Sequence, residues 1–128
     1  MTRKILLVDD EQVIVEVLSI ALGGDSRFEL LFAGDGQIAI DIANREQPDL
    51  ILMDVDMPVM NGIDACRILK TDPATSAIPV IMLTAMAQQR DLKDGLSAGA
   101  DDFITKPFSP SFLIDSIIRL LEGSQTAG

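Results

Sequence analysis

The chain has 128 residues, 48% hydrophobic and 23% charged, and its twenty acids against ten bases leave a net charge of −10. This fits one globular domain with enough apolar residues for a core, and its acidic surface repels phosphate backbones and anionic lipid, so neither nucleic acid nor membrane is expected as a direct partner. With no histidine and a single cysteine, Cys66, the sequence excludes imidazole bases, Ser-His-Asp triads, histidine metal sites, an internal disulfide and thiolate metal clusters.

The first apolar run, 4–8, reads as a strand and ends at Asp9 and Asp10. Those acids interrupt it too early for a signal peptide. No run approaches the ~20 residues that span a bilayer, so a cytoplasmic protein is expected. In 13–22, Ile14, Val17, Leu18 and Ala21 share a helical face, closed by Gly23-Gly24. A second strand lies at 28–33. A second helix covers 36–46, with Ile38, Ala39, Ile42 and Ala43 as its stripe and Pro48 as its stop. Strand 50–54 follows and ends in Asp54. Helix 62–70 places Ile63, Cys66, Leu69 and Lys70 on one side, with Cys66 as a small buried hydrophobe. A fourth strand, 78–83, is followed directly by Thr84.

The stretch 87–98 reads as a weak helix. Leu92 and Leu96 are its large apolar residues, and Gly95 inside it costs ~1 kcal/mol relative to alanine. It should be the loosest of the set. Asp101 and Asp102 are expected to cap or solvate a turn. The last strand, 102–105, leads to Lys106. The final helix takes Ser109 as N-cap and Pro110 as its first residue. Its core face carries Leu113, Ile117, Leu120 and Leu121, and Gly123 is expected beyond its end. The domain is therefore expected over 1–122, with 123–128 a tail or the start of a linker.

Strand and helix thus alternate five times. Continuous apolar strands separated by helices imply a parallel sheet covered on both faces. For five strands and five helices the common doubly wound order is 2-1-3-4-5, the flavodoxin-like α/β fold. Ligands in such sheets bind outside the strand C-termini, where the winding reverses between strands 1 and 3. Asp9 and Asp10 follow strand 1, Asp54 closes strand 3, and Thr84 and Lys106 follow strands 4 and 5. All five then share one rim. Two carboxylates ~4 Å apart at an effective dielectric of 20 repel by ~4 kcal/mol, so three need a cation. Magnesium, which uses one or two carboxylates and keeps several waters, fits a water-accessible rim, and manganese would substitute. With a hydroxyl and an ammonium beside it, the rim is a site for a phosphoryl group.

The motifs VDDE (8–11), LILMDVDMPVMNG (50–62), LTA (83–85) and ADDFITKPF (100–108) resemble the receiver domain of two-component response regulators, in order and spacing over essentially the whole chain. The resemblance implies Asp54 as phosphoacceptor. It implies a Mg2+ site made by Asp10 directly, Asp9 through water or by orientation, Asp54, and the backbone carbonyl of Asp56. Lys106, Thr84 and the Ala85 amide would hold the phosphoryl oxygens. Thr84 and Phe103 would be the switch pair, Asp56 and Met86 would tune phosphate lifetime, and the Lys106–Pro107 bond would be cis. The implied donor is a sensor histidine kinase or phosphotransfer protein. The implied reader is a downstream protein or output domain, contacting the surface formed by 87–98, strand 102–105 and the last helix. Such a protein catalyses its own phosphorylation and autodephosphorylation and is no turnover enzyme. One departure is that Phe112 and Ser116 stand where family members with a charged dimer face carry an acid and an arginine.

Two other readings compete. Gly34, Gly36 and Ala39 form G-x-G-x-x-A after a strand, with Asp54 and Asp56 some twenty residues on, the outline of a dinucleotide fingerprint. Three carboxylates would repel its pyrophosphate. Asp54-x-Asp56 with Thr84 and Lys106 also resembles the aspartate-nucleophile phosphatases, but those place the nucleophile on their first strand.

Overall fold

The structure is a computed structural model. It describes residues 2–24, 26–55, 57, 59–84, 97–105 and 108–126, with Thr84 and 123–126 as backbone alone. Strands β1 (Arg3–Val8), β2 (Phe28–Ala33), β3 (Leu50–Asp54), β4 (Val80–Thr84) and β5 (Asp102–Thr105) form one parallel sheet in the order β2-β1-β3-β4-β5. Helices α1 (Gln12–Gly23), α2 (Gly36–Glu46), α3 (Gly62–Thr71) and a C-terminal helix (Pro110–Thr126) are the four among the described residues. This is the doubly wound, flavodoxin-like arrangement. Most of the stretch 87–98 lies outside the described residues; of its end, Ser97 is helical. No helix of the described residues is long and apolar enough to cross a membrane.

Side chains alternate across a strand, so each interior strand feeds two cores. Leu6, Val8, Ile51, Met53, Val80 and Met82 pack on one face with Ala39 and Ala43 of α2 and Ala65, Cys66 and Leu69 of α3. Ile5, Leu7, Leu50, Leu52, Ile81 and Leu83 pack on the other with Leu18 and Leu22 of α1 and Leu113, Ile117 and Leu121 of the C-terminal helix. Each fully buried Leu or Ile contributes about 1.5–3 kcal/mol. The central strands therefore carry most of the burial, while β2 and β5 keep partly exposed edges.

The structure departs from the sequence reading in four local ways. Strand β4 opens at Val80, because Pro79 has no N–H for the ladder. On α1 the buried residues are Leu18 and Leu22, and Val17 is exposed. On α2 the buried contact is made by Ala39 and Ala43, and Ile38 faces solvent. The C-terminal helix runs through Gly123 to Thr126, since one helical glycine costs only ~1 kcal/mol and no proline follows to stop the chain. Its start is as read: the Ser109 carbonyl accepts the Leu113 N–H at 3.0 Å, and the Ser109 and Ser111 hydroxyls pair at 3.0 Å.

Carboxylates tie down the N-terminal rim of the sheet. Asp49 Oδ2 accepts the Lys4 N–H at 2.7 Å, and the Asp49 N–H donates to the Lys4 carbonyl at 2.8 Å. Asp101 repeats the device with Val80, at 2.8 Å and 2.9 Å. Its carboxylate also receives the Lys70 ammonium at 2.9 Å, which donates further to the Ile78 carbonyl at 2.7 Å and the Ser76 carbonyl at 3.3 Å. Asp101 thus does more than solvate a turn. Gly99, at φ 99°, makes room for this lysine, since a Cβ there would meet Lys70 Cγ at 2.8 Å. One turn earlier on α3, the Cys66 thiol donates to the Ala98 carbonyl across 3.6 Å.

Replacing Lys70 with Met strands two carbonyls and a carboxylate, and we expect a loss of about 1–3 kcal/mol in urea denaturation. Asp101→Asn, which keeps an acceptor for Val80, should cost less. Burial pushes the Cys66 thiol from its ordinary 9.0 up to about 11, with Asp101 adding to the rise and Lys70 and Arg67 opposing it. The unfolded thiol therefore ionises first, and the stability the buried thiol contributes is complete below pH 9.0 and lost as pH rises towards 11. Denaturant titrations at about pH 8 and about pH 10.5 should show the advantage of the wild type over Cys66→Ala shrinking at the higher pH.

Candidate functional site

Register alone brings two acids together. Val8 pairs with Met53 across β1 and β3, so Asp9 and Asp54, each one residue further on, end up side by side. Both have the parity of the Leu7 and Leu52 face, and both are buried, at 4% and 3% exposure. Asp9 Oδ1 accepts the Glu11 N–H at 2.9 Å, which turns the chain from β1 into α1. Glu11 is the N-cap of that helix, in extended conformation, and its side chain makes no capping hydrogen bond. Carboxylate oxygens of Asp9, Glu11 and Asp54 all lie within 4.8 Å of one another. Such a set of hard oxygen donors, two of them buried and one at the mouth, suits a hard divalent cation such as magnesium.

The other expected residues divide into those described and those not. Asp10 is exposed and is not one of the three. Thr84 ends β4, one register position beyond the Asp54–Leu83 pair, so its backbone lies on the same rim. Thr84 also pairs with Thr105, the residue before Lys106. Asp56, Ala85, Met86, Lys106 and Pro107 lie outside the described residues. Phe103 is half-buried against the α2–α3 core. It also lines a groove of about 520 Å³ with Thr105, Phe108, Ser109 and Phe112. Phe112 is 53% exposed on that groove, whereas Ser116 is buried and its hydroxyl has no partner among the described residues. A side chain at position 116 therefore does not face a partner.

Two features of the loop after β3 carry the site and were not singled out from sequence. Gly62 opens α3 directly against the end of β3. A Cβ there would overlap the Asp54 carbonyl oxygen and meet Met53 Cγ at 3.1 Å, while the Gly62 N–H donates to the Val55 carbonyl at 2.9 Å. Asn61 caps the same helix by accepting the Asp64 N–H at 2.9 Å. Val59 is 84% exposed at a φ of 69°, a left-handed conformation that β-branched residues rarely adopt. Such strain costs of order 1–3 kcal/mol and gathers at functional sites. Glu11 is a further residue that the sequence reading left without a role. Its signal was its place directly after two acids and before a helix.

The dinucleotide outline is explained without a nucleotide. A Cβ at Gly36 would meet the Met60 carbonyl oxygen at 2.7 Å, so this glycine serves the packing of α2 on the loop after β3. Asp35 already accepts the Ile38 N–H at 2.9 Å, which puts an acid at the helix N-terminus where a pyrophosphate would sit.

An α/β sheet of this order with buried acids at the reversal of winding defines a class, and comparison with known proteins specifies it. The response regulator receiver domain family matches residues 5–118, so the chain belongs to that family and to two-component signalling. It is 44% identical over 114 residues, 89% of its length, to the DNA-binding response regulator MtrA of Mycobacterium tuberculosis, covering 48% of that protein. It is 40% identical over 127 residues to the alkaline phosphatase synthesis transcriptional regulatory protein PhoP of Bacillus subtilis, covering 99% of this chain and 52% of that protein. The chain thus spans about half the length of these two curated relatives. Among solved structures, a CheY-like response regulator receiver domain protein from Methanospirillum hungatei JF-1 superposes with a TM-score of 0.93 at 26% identity, covering 100% of both chains. Receiver domains are signalling switches that bind magnesium at an acidic pocket.

Gly62→Ala should displace either the Asp54 carbonyl or the first turn of α3, because neither neighbour is a flexible side-chain end. We expect a loss of at least about 3 kcal/mol in thermal or urea unfolding, with divalent-ion binding weakened in whatever fraction remains folded.

Proposed function

We propose that the chain is a phosphoacceptor switch in which Asp54 takes a phosphoryl group from a histidine kinase or phosphotransfer protein. The observation that carries this reading is the buried Asp54 carboxylate at the tip of β3, within 4.8 Å of carboxylate oxygens of Asp9 and Glu11. An Asp54 oxygen attacks phosphorus. The P–N bond of a phosphohistidine donor, or the P–O bond of a small donor, breaks, and its electron pair leaves with the departing group. Asp10 directly, Asp9 through water or by orientation, Asp54 and the Asp56 carbonyl would hold the divalent ion, Mg2+ or Mn2+, which when bound would offset the charge of the incoming phosphoryl group. Lys106, the Thr84 hydroxyl and the Ala85 amide take the phosphoryl oxygens. Little more than positioning and charge neutralisation is required for such a transfer.

The product carries roughly −1.5 to −2 added charge at the rim. Thr84 moves towards it and Phe103 turns inward. The surface around β5 and the C-terminal helix then changes, and a downstream protein or output domain reads it. The half-buried Phe103 beside an open groove supports this reading, since its ring has room to change position. Asp56 and Met86 tune how long the phosphoryl group persists. At a net charge of −10 this domain does not itself hold nucleic acid.

Incubation with a radiolabelled small phosphodonor and Mg2+ should label the wild type about once per chain, and chelation of the ion should stop it. Asp54→Asn should take up no label. Labelling that persists in this variant overturns the assignment of the acceptor, and continuous turnover of a phosphomonoester would point to a phosphatase instead.

A further inference from the structure

We propose that Asp101 and Lys70 are positioning residues for phosphoryl transfer, acting from the opposite rim by fixing where β5 ends. The inference rests on the reading that residues at the ends of β4 and β5 hold the phosphoryl oxygens. β5 is an edge strand of four residues, paired with β4 alone, and Ile104 is its one buried side chain. Apolar burial therefore holds it less firmly than β3, which is buried at every position. A slip of β5 by two residues would keep each side chain on its own face and move the strand's end by ~6.6 Å. Something at the start of the strand has to oppose such a slip.

Asp101 opposes it with three contacts. Its N–H donates to the Val80 carbonyl at 2.9 Å and its Oδ2 accepts the Val80 N–H at 2.8 Å, so it is locked to the first residue of β4. The same oxygen receives the Lys70 ammonium at 2.9 Å. Lys70 is held in turn by the Ile78 and Ser76 carbonyls, and its stem passes against Gly99, where a Cβ would not fit. α3 is thereby fastened to the start of both β4 and β5. From there the register runs from the Ile81–Asp102 pair to the Thr84–Thr105 pair, after which the chain continues to Ala85 and to Lys106. That span is roughly 13 Å, and a displacement at the start of so short a strand is carried to its end. A misplacement of about 1 Å can slow a positioned reaction by as much as about 100-fold. The acidic pocket lies instead at the tips of β1 and β3, so the clamp acts on transfer and leaves ion binding alone.

The test measures two quantities, the rate constant of labelling by a small phosphodonor at saturating Mg2+ and the Mg2+ dissociation constant, at a temperature where denaturation curves show every variant folded. Asp101→Ala and Lys70→Met should each slow labelling by about tenfold with Mg2+ affinity within about twofold of the wild type. Lys70→Arg, which keeps donors for the carboxylate and the carbonyls, should stay within about threefold in both quantities. Asp35→Ala, which removes the cap of α2 far from β5, serves as the destabilised control and should label at the wild-type rate. Labelling of Asp101→Ala and Lys70→Met within about twofold of the wild type overturns the positioning role while leaving the phosphoacceptor standing. Equal slowing in Asp35→Ala, or Mg2+ affinity that falls in step with the rate, overturns it as well, since either marks a merely structural effect. A wild type that takes up no label overturns the phosphoacceptor reading, and this inference falls with it.

Discussion

Two carboxylates buried side by side at the tips of adjacent strands are the constraint to which the rest of the molecule answers. Two carboxylates held this close repel unless neighbouring groups or a cation offset their charge. The fold nonetheless holds them there because the parallel register of β1 and β3 admits no other placement once Val8 and Met53 are paired. That register is secured by apolar residues on both faces of the sheet, in layers that have nothing to do with the acids. Hydrophobic burial thus fixes where the two acids stand, independently of the charge they carry.

Much of this was legible in the sequence because parallel strands announce themselves. Runs such as LLV and LILM are buried on both faces, so they are continuous rather than alternating, and a charged residue ending one is conspicuous. Asp9 and Asp54 could be read in that way. What could not be read was side-chain direction just beyond a strand. Asp10 and Glu11 are adjacent in sequence, and the turn that gives the Glu11 N–H to Asp9 decides which of them faces the pocket. The same difficulty affected the helices. α1 is apolar nearly all round, so Val17 and Leu22 were indistinguishable until the sheet chose a side. On α2 the alanines rather than the larger Ile38 make the buried contact, because a small side chain lets the helix approach the sheet.

The glycines show why packing escapes a reading of local pattern. Asn61-Gly62 looks like an ordinary turn dipeptide, and Gly34-x-Gly36 like a phosphate loop. In the structure Gly62 is required because α3 begins against the carbonyl of the very residue that lines the pocket, and Gly36 because α2 begins against Met60. The first contact is with the end of the preceding strand and the second with a segment far along the chain, and neither shows in the local pattern. They bind the loop after β3 into the scaffold, which explains how an exposed valine in that loop is held at an unfavourable φ.

At the opposite rim, Asp49 and Asp101 each close a reciprocal pair with the first residues of a neighbouring strand, and Lys70 locks one of them to α3. Acids at the two rims therefore have separate employment. Those at the bottom close pairs between neighbouring strands, and those at the top, Asp9 and Asp54, are gathered with Glu11 at the tips of β1 and β3. A sheet divided in this way can exchange one set of top-rim side chains for another without loosening its foundations, so variants with retuned chemistry should be reachable through single substitutions that leave the frame intact.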